Sequence, residues 1–534
     1  MRVVSSKEMK EIEKVSYENF HLNESLIIEN VGFQGANFID ERFLKREKFS
    51  EIVVLVGKGN NGSDGLAIAR QLKNRDRTVR AFILFPNEIS KGSELEKQVN
   101  LAKKFGVKIT DVVNTEQITT YFTQTQESFL VIDAILGTGT RLPLSQFLFE
   151  IINCTNQYAT TIVAVDIPSG ITGDCGEMSS VAITAQLTLA IGLPKTGCFV
   201  AQGLRHAGEI HVLDAGFPQK LLREGDKKLL LPQDVAKMVQ KRDKFGHKNR
   251  FGHVLVIGGS KGLTGALILA ATSALKVGAG LVTALTWEEN YLELVTRIIP
   301  EVMTGTIPVE GNLVDIESIF QEMDKFNCIV LGPGLGKTKK AKQVVFEVLS
   351  HFHGPVVLDA DALKLLNLKE HLDILSKRKG ATILTPHMAE FSVLSGVPLD
   401  QVLSNPLIHM ETLIDETNCS LVLKGPTTFL GFPNDKILIN HFPNDGLAKG
   451  GSGDVLSGII GGILAQVKTD TNVYKKPEKI YEATSFAVCL HSLAGKFASE
   501  KYGNFSMTAG SIIKNLPKAF NYLFNLSKKE KRNG

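Results

Sequence analysis

The chain has 534 residues, which is more than one ordinary domain core accommodates, so two or three domains are expected. Its 60 Lys and Arg residues are nearly balanced by 56 Asp and Glu residues, giving a formal net charge of +4, and it has a single Trp, which argues against a nucleic-acid partner. It shows no uninterrupted apolar run of about 20 residues, no N-terminal apolar signal region and no CxxC pair among its six cysteines, so we expect a cytoplasmic protein with reduced thiols and no membrane span.

The first half begins with a helix and continues with alternating strands and helices. Ser5 and Glu8 form a capping-box pattern, and Met9, Ile12 and Val15 follow at helical spacing. Five short apolar runs predict strands: EIVVLVG (51–57), VRAFILF (79–85), FLVIDAI (129–135), TTIVAVDI (160–167) and LTLAIG (187–192). Because helical stretches separate most of these runs, we predict a parallel sheet with helices on both faces.

The loop GKGNNGSDG (57–65) follows the first of these strands. Open parallel sheets bind ligands at the carboxyl ends of their strands. The glycines permit a tight turn and a close approach to a ligand, and Asn60, Asn61 and Asp64 offer amide and carboxylate groups to it. An Asx-rich turn without a ligand is the alternative at this point.

Two further strand ends add oxygen-bearing side chains. Asp133 lies in the run FLVIDAI, and Asp166 and Ser169 lie in VDIPSG. Together with Asn61, Asp133 and Ser169 supply oxygen ligands suited to a hard cation, and a monovalent ion fits better than zinc because no His or Cys joins the set. Asp166 is a candidate general acid or base.

The motifs GNNGSDG, DAILGTGTRLP and VDIPSGI, in this order, resemble the NAD(P)H-hydrate epimerase domain over roughly residues 1–220. The resemblance implies that a hydrated nicotinamide dinucleotide binds to two loops, formed by Asn60, Asn61, Gly62, Ser63 and Asp64 and by Gly137, Thr138, Gly139, Thr140, Arg141, Leu142 and Pro143. It also implies that Asn61, Asp133 and Ser169 bind K⁺, and that Asp166 binds the substrate and serves as the acid or base. Ser63 stands where the family usually has glycine.

The segment 217–248 is charged and shows no strand run, so we place a domain boundary near residue 225, between domains 1–225 and 226–534. Strands are predicted beyond it at HVLVIGG (253–259), NCIVLGPG (327–334), PVVLDADA (355–362), ATILTP (381–386) and SLVLKG (420–425). The segments 264–277 and 455–466 are apolar nearly all round and predict buried helices.

Several strand-end motifs of the second half have two interpretations. GGSKGLTGA (258–266) has the form of a phosphate site, whereas GPGLGKT (332–338) lacks the spacing of a P-loop, which makes Lys337 a surface residue. His387, in TPHMAE, is by itself a structural hydrogen-bonder. LKGPTT (423–428) suits a phosphate or adenosine but equally forms an ordinary turn. In DADAL (359–363), Asp359 and Asp361 suit either Mg²⁺ or helix capping, and capping is the preferred interpretation.

The stretch LAKGGSGDVLSGIIGGILAQ (447–466) carries the strongest signal. Gly450, Gly451 and Gly453 precede Asp454, and a helix follows directly. The free amides of a first helical turn stabilise a phosphoryl group, and a neighbouring carboxylate can take the proton of the attacking hydroxyl. An anion hole with a base and no P-loop lysine resembles the ribokinase-like superfamily.

Within that superfamily, HVLVIGGSKGLTGALILAATSALKVGAGLVT, LGPGLG, DADAL, LTPHMAEF, LKGPTT and LAKGGSGDVLSGII resemble the ADP-dependent NAD(P)H-hydrate dehydratase over about residues 235–520. The resemblance implies that the hydrated dinucleotide contacts Ala266, Gly334 or Gly336, His387 and Asp454. It implies that ADP, the co-substrate, contacts Lys424, Gly425, Pro426, Thr427, Thr428 and Gly453, and that Mg²⁺ takes part. Lys449 stands where Thr or Ser is usual, and it either contacts phosphate or faces solvent.

These resemblances imply an α/β protein with a Rossmann-like first domain and a ribokinase-like second domain, each a mainly parallel sheet covered by helices. The implied function is repair of hydrated NADH and NADPH. One domain interconverts the R and S hydrates, and the other dehydrates the S hydrate with ADP, releasing AMP and phosphate. A small-molecule kinase with an N-terminal nucleotide-binding module is the alternative. Apolar helices and paired domains favour a homo-oligomer.

Overall fold

The computed structural model describes residues 1–125, 127–238, 242–310, 313–315, 325–434, 436–467 and 477–533. These residues form two compact units, Met1–Lys227 and Lys228–Gly534. No helix in these ranges is both long enough and apolar enough to cross a bilayer.

The first unit contains a parallel sheet with helices on both faces. The strands of this unit, of which β1 is not part of that sheet, are β1 (Arg2–Val3), β2 (Glu51–Val56), β3 (Val79–Ile83), β4 (Lys108–Asp111), β5 (Phe129–Ala134), β6 (Thr161–Val165), β7 (Leu187–Ile191) and β8 (Glu209–Leu213). Its helices are Ser6–Phe20, Glu24–Ile39, Asn60–Lys73, Glu94–Lys104, Thr115–Gln124, Gln146–Tyr158, Gly203–His206 and Gln219–Arg223. The capping box at the first helix is present, with Ser5 and Glu8 exchanging hydrogen bonds.

Seven strands of this unit lie in the order β4-β3-β2-β5-β6-β7-β8, and their ladders are parallel. Alternate residues of β2 enter two separate cores: Val54 packs on one face of the sheet and Val53 on the other. The strand order reverses between β2 and β5, so a crevice opens at their carboxyl ends. The loops that follow β2 and β5 border this crevice.

The second unit has a mixed sheet. From the unit boundary onward the strands are β9 (Lys227–Leu229), β10 (His253–Ile257), β11 (Leu281–Thr286), β12 (Met303–Thr306), β13 (Val309–Glu310), β14 (Leu313–Val314), β15 (Cys328–Leu331), β16 (Val356–Leu358), β17 (Thr382–Leu384), β18 (Ser420–Leu423), β19 (Thr427–Gly431) and β20 (Ile437–His441). The helices are Pro232–Ala236, Thr264–Lys276, Tyr291–Arg297, Lys339–His351, Asp361–Lys364, Leu368–Ser376, Met388–Ser395, Leu399–Ser404, Pro406–Thr417, Ser452–Leu464, Pro477–Tyr502 and Ala509–Asn533.

Nine of these strands lie side by side in the order β20-β19-β18-β17-β16-β15-β10-β11-β12. The ladders from β18 to β12 are parallel, whereas β18, β19 and β20 pair antiparallel. The order reverses between β10 and β15, which again places a crevice at their carboxyl ends. The helices Thr264–Lys276 and Ser452–Leu464 are largely buried, as predicted, and both contribute to the core of this unit.

The α/β class and the ten predicted strands are confirmed, although each strand is shorter than its apolar run. One expectation was wrong: the segment 217–248 does contain a strand, β9, because the apolar end of KKLLL pairs into the sheet beside β20. Edge strands such as β4 escaped prediction because their half-exposed sequences carry no continuous apolar run.

Candidate active sites

The loop after β2 forms the first wall of the crevice in the first unit. Its residues Asn60–Asp64 make up the first turn of the helix Asn60–Lys73. Asn61, Ser63 and Asp64 are buried, whereas Asn60 is exposed. Ser63 is helical and is not among the described residues with positive φ, so the family's usual glycine is not required at this position for backbone reasons.

Gly62 lets this turn pack against the end of β2. A Cβ at Gly62 would lie 2.3 Å from the Gly57 carbonyl oxygen, whereas a Cβ at Gly59 would meet no atom within 4 Å. We therefore expect Gly62→Ala to lower the free energy of unfolding of the first unit by about 1–3 kcal/mol, as overpacking does. Gly59→Ala is the matched control and should be nearly neutral. Thermal or denaturant unfolding of both variants measures the difference, and equal stability would contradict this packing.

The three predicted K⁺ ligands meet around the backbone of Leu136. Asn61 Nδ2 donates to the Leu136 carbonyl at 2.8 Å, and the Leu136 amide donates to Ser169 Oγ at 2.9 Å. Ser169 in turn donates through its hydroxyl and its amide to the two oxygens of Asp133, at 2.6 and 2.8 Å. The Asn61 Oδ1 atom is buried and has no hydrogen-bond partner among the described residues. An unpaired buried oxygen beside a carboxylate and a hydroxyl fits an oxygen-liganded cation.

Burial raises the pKa of Asp133 to about 6, and its hydrogen bonds from Ser169 and Ile135 oppose this rise. The side chain is inaccessible to solvent. A bound cation would favour the ionised carboxylate, because an opposite charge nearby lowers a carboxyl pKa. The environment of Asp133 is therefore one in which a cation would stabilise the charged form.

Asp166 pairs with Lys195, a residue that the sequence analysis did not single out. Lys195 Nζ donates to Asp166 Oδ1 and to the Ile191 carbonyl, and its side chain is 1% exposed. Asp166 has φ of 67°, in the left-handed region that few non-glycine residues occupy. Backbone strain of this kind, held next to a buried ion pair, is typical of functional sites. A lysine four residues after a strand carries no distinctive pattern in the sequence.

Two more ionisable side chains, Asp64 and Glu13, interact electrostatically with this pair, and Tyr17 interacts with both of them. Burial raises the pKa of Asp64 well above its usual range, and Asp166 and Glu13 add to the rise. Burial also raises the pKa of Glu13, with Lys195 opposing and Asp166 adding. The pKa of Tyr17 rises to about 12 through burial and Glu13. The site therefore contains two carboxyl groups of raised pKa beside one buried ion pair.

The second predicted substrate loop, residues 137–143, follows β5 on the opposite side of the crevice. A Cβ at Gly137 would lie 3.4 Å from the Asn61 side chain and 3.5 Å from Asp166 Oδ2. The loop turns at Thr140, whose amide and hydroxyl both donate to the Gly137 carbonyl. Gly137 thus adjoins Asn61 and Asp166, whereas Arg141 at the far end of the loop is exposed.

In the second unit, the loops after β10 and β15 pack against each other. The amide of Ser260 donates to the Gly334 carbonyl, and a Cβ at Gly334 would lie 2.5 Å from the Leu263 carbonyl oxygen. Ala266 lies in the first turn of the helix that follows the first of these loops. The Gly336 amide donates to Asp361 Oδ2 at 3.0 Å. Both glycines have positive φ, and the choice between them as the substrate contact stays open.

Carboxylates and lysines converge where β16, β17 and β18 end. Lys424 Nζ lies 2.8 Å from Asp359 Oδ1, and Lys364 lies 3.3 Å from Asp361 and 3.4 Å from Glu390. The preferred interpretation of DADAL as a capping motif was wrong. The short helix that begins at Asp361 has Ala360 at its N-cap and no side-chain cap bond, because both aspartates make these other contacts instead.

Asp454 lies in the first turn of the helix Ser452–Leu464 and is partly buried. Burial raises its pKa to about 6, and the Asp359 carboxylate adds to the rise while Lys424 opposes it. A Cβ at Gly453 would lie 3.2 Å from Lys424 Nζ. Lys424 and Asp454, whose carboxyl pKa is raised, therefore both lie at the start of this helix. This arrangement suits proton transfer near neutral pH.

His387 has the structural role that its sequence context suggested. Its Nδ1 accepts from the Glu390 amide at 3.2 Å, and the His387 amide donates to the Glu390 carboxylate at 3.1 Å. Burial lowers the pKa of His387, with Glu390 opposing and Lys424 adding to the shift. About half of the side chain is still exposed, and it borders the cavity described next. His387 can therefore cap the helix that follows it and also contact a ligand in the cavity.

A cavity of about 840 Å³ lies beside these charges. Five of the six predicted nucleotide contacts line it: Lys424, Gly425, Pro426, Thr428 and Gly453. Thr427 is the exception, because its side chain is buried and its hydroxyl bonds His441 at 2.7 Å. Sequence reasoning missed Asn440, His491 and Ser492, which also line the cavity, since none belongs to a glycine motif.

The sequence left the role of Lys449 open. In the structure its side chain forms hydrogen bonds with two backbone carbonyls. Its Nζ donates to the carbonyl oxygen of Phe505 and, at 2.8 Å, to that of Met507. The lysine thereby connects the glycine loop to the turn before the last helix. Lys337 is exposed, as predicted from the incomplete P-loop spacing.

Comparisons with known proteins cover both units. Residues 24–197 match a family model described as YjeF-related protein N-terminus, and residues 254–518 match one described as NAD(P)H-hydrate dehydratase. The bifunctional NAD(P)H-hydrate repair enzyme Nnr of Moorella thermoacetica is 32% identical over 526 residues, covering 97% of this chain and 96% of that protein. The protein of the same name from Escherichia coli is 29% identical, covering 88% of this chain and 85% of that protein.

Solved structures also resemble the second half of the chain. The ADP/ATP-dependent NAD(P)H-hydrate dehydratase from Bacillus subtilis, co-crystallised with ATP/Mg²⁺, is 27% identical. That match covers 55% of this chain and 98% of the other, with a TM-score of 0.46.

Proposed function

The chain belongs to the family of bifunctional NAD(P)H-hydrate repair enzymes, and from this premise we propose that its two units divide the repair of hydrated NADH and NADPH between them. The first unit interconverts the R and S hydrates. The second unit dehydrates the S hydrate with ADP and releases AMP, phosphate and NADH or NADPH. A site that positions one hydroxyl for in-line attack rejects the other epimer, so an epimerase in the same chain makes all of the damaged cofactor repairable.

In the first unit, the substrate occupies the crevice between the loops 57–65 and 137–143. Asp166 is the acid or base, and its ion pair with Lys195 keeps the carboxylate in place. The strained backbone at Asp166 supports this role. The loop 137–143 passes directly beside both a carboxamide and a carboxylate here, because a Cβ at Gly137 would be in van der Waals contact with Asn61 and Asp166.

The same crevice fits K⁺. Asn61, Asp133 and Ser169 would hold the ion, and the unpaired buried oxygen of Asn61 is the observation that supports it. The ion supplies positive charge next to the substrate loops when bound. Asp133 and Ser169 also fix the backbone at Leu136, and thereby orient the loop that carries Gly137.

In the second unit, Asp454 takes the proton of the substrate hydroxyl as that oxygen attacks the β-phosphorus of ADP, with AMP as the leaving group. The amides of the first turn of the helix Ser452–Leu464 stabilise the transferring phosphoryl group. Water is a poor leaving group and phosphate is a good one. Loss of phosphate and of a ring proton then restores the double bond of the reduced nicotinamide.

Mg²⁺ accompanies the nucleotide. The described residues contain no group of three His, Cys, Asp or Glu side chains placed to hold a metal ion by themselves. This fits Mg²⁺, which is commonly bound through one or two carboxylates together with substrate phosphates and water. Asp359 and Asp361, at the end of β16, are the carboxylates next to Lys424 and Gly336 that would serve. The ion supplies charge neutralisation for the phosphates.

The single observation that carries the dehydratase proposal is Asp454, whose pKa is raised to about 6 at a helix start beside the Lys424-lined cavity. The test is to give the protein a mixture of R and S hydrates of NADH with ADP and Mg²⁺. We expect NADH absorbance to recover fully, with both epimers consumed and one AMP and one phosphate formed per NADH. Accumulation of a stable phosphorylated product would instead identify a small-molecule kinase.

We also propose a homo-oligomer. Three helices of the second unit expose the apolar side chains of Val393, Leu399, Leu403 and Ile408. Exposed apolar clusters of this kind are typical of protein interfaces.

A further inference from the structure

The wall of the 840 Å³ cavity combines charged and apolar side chains. Lys424 and the start of the helix Ser452–Leu464 suit phosphate groups. The apolar side chains, which suit an uncharged planar group, include Phe442, Leu456 and Val488. Asp445 and Lys449 also border the cavity.

Asn440 is one of two asparagines that border the cavity and have a buried atom without a hydrogen-bond partner among the described residues; the other is Asn444, through its Nδ2. Asn440 lies on β20, is 2% exposed and borders the cavity. Its Nδ2 donates to Ser492 Oγ at 2.9 Å, on the helix Pro477–Tyr502. Its Oδ1 is buried and has no hydrogen-bond partner among the described residues. A buried acceptor left unpaired costs stability unless a ligand or water satisfies it.

We propose that Asn440 determines the base specificity of the nucleotide site, with its Oδ1 accepting a hydrogen bond from the 6-amino group of adenine. This inference rests on the proposed use of a nucleotide by the second unit. Ser492 accepts from Nδ2, which leaves Oδ1 for the base. The apolar walls enclose the base, and Lys424 lies toward the phosphates.

The chemistry of the purine 6-position makes this contact selective. Adenine carries an amino group there and donates a hydrogen bond, whereas hypoxanthine and guanine carry an oxo group and accept one. Two acceptors facing each other leave both unpaired. A site built around a buried hydrogen-bonding group rejects ligands that leave that group unsatisfied.

Binding of ADP and inosine diphosphate tests the proposal, because the two differ only at this edge of the base. Calorimetric titration of the full chain with each nucleotide and Mg²⁺ should show that ADP binds about tenfold more tightly or better, the effect of one buried hydrogen bond. In Asn440→Leu, which keeps the volume and removes the acceptor, the two affinities should become equal within about threefold. Asn440→Ser serves as a second variant where the leucine variant does not fold.

Ile439→Val is the matched control, since it alters the adjacent buried position of β20, which does not border the cavity. It should retain the wild-type preference. Equal binding of ADP and inosine diphosphate to the wild type, or an unchanged preference in a folded Asn440 variant, would overturn the inference and leave the proposed function intact. Failure of the wild type to bind either nucleotide would overturn the proposed nucleotide dependence itself, and the inference with it.

Discussion

Asp454→Asn is expected to lower the rate of ADP-dependent dehydration by about 10²- to 10⁴-fold, the usual contribution of a general base. Asparagine has nearly the same shape but cannot accept the hydroxyl proton. Epimerisation should be unchanged, because the proposed acid or base of that reaction is Asp166 in the other unit. Recovery of NADH absorbance from the S hydrate measures the first activity, and loss of the R hydrate measures the second. A parallel fall in both would contradict two independent sites.

The pH dependence gives this variant a signature that a structural defect would not produce. Since the pKa of Asp454 is raised to about 6, the wild-type kcat/KM should fall as the pH is lowered through about 6, where the carboxylate becomes protonated. The residual activity of Asp454→Asn should lack this acid limb. A limb that persists in the variant would assign the titration to another group.

The direction in which the same substitution changes the free energy of unfolding can also be predicted. The folded-state pKa of Asp454, about 6, lies above that of an aspartate in water, so ionisation opposes folding, and the full penalty is present at pH values above about 6. Asparagine carries no charge and removes this penalty. We therefore expect Asp454→Asn to be at least as stable as the wild type at pH 8, which unfolding by denaturant measures. Lost activity with retained stability would locate the defect in the chemistry.

Strand positions followed from the sequence because buried parallel strands are continuous apolar runs. The ligand-binding loops could be predicted as well, because open parallel sheets bind ligands at the carboxyl ends of their strands and the sequence indicates where those strands end. In the second unit this logic pointed to the glycine loop with Asp454 and to the LKGPTT loop, whereas the resemblance to the dehydratase family named five nucleotide contacts that line the cavity. Local pattern was not sufficient at Asp359 and Asp361, which follow β16 but do not cap the next helix as predicted.

The contacts that escaped prediction connect distant parts of the chain. Lys195 reaches Asp166 across 29 residues, because β6 and β7 lie side by side in the sheet. Asn440 reaches Ser492 across 52 residues, and Lys449 reaches Met507 across 58. Each depends on how strands and helices pack, and a single lysine or asparagine carries no periodic signal of its partner.

Asp166→Asn is expected to reduce enzymatic consumption of the R hydrate by about 10²- to 10⁴-fold, the usual contribution of a general acid or base. Consumption of the S hydrate with ADP should continue at the wild-type rate. Asparagine is preferable to alanine here, because asparagine tolerates the left-handed backbone found at this position. Asp111→Asn is the matched control: this aspartate also ends a parallel strand, but it is exposed on β4, and both activities should persist.

Stability must be separated from chemistry in this case, because Asp166→Asn leaves the buried Lys195 ammonium unpaired. Breaking one side of a buried ion pair costs about 3–5 kcal/mol. The double variant Asp166→Asn with Lys195→Met removes both charges, so it should recover most of the stability of the first unit but none of the epimerase activity. Dehydration of the S hydrate in the same chain reports that the second unit is folded. Epimerisation by the double variant would remove Asp166 from the proposed mechanism.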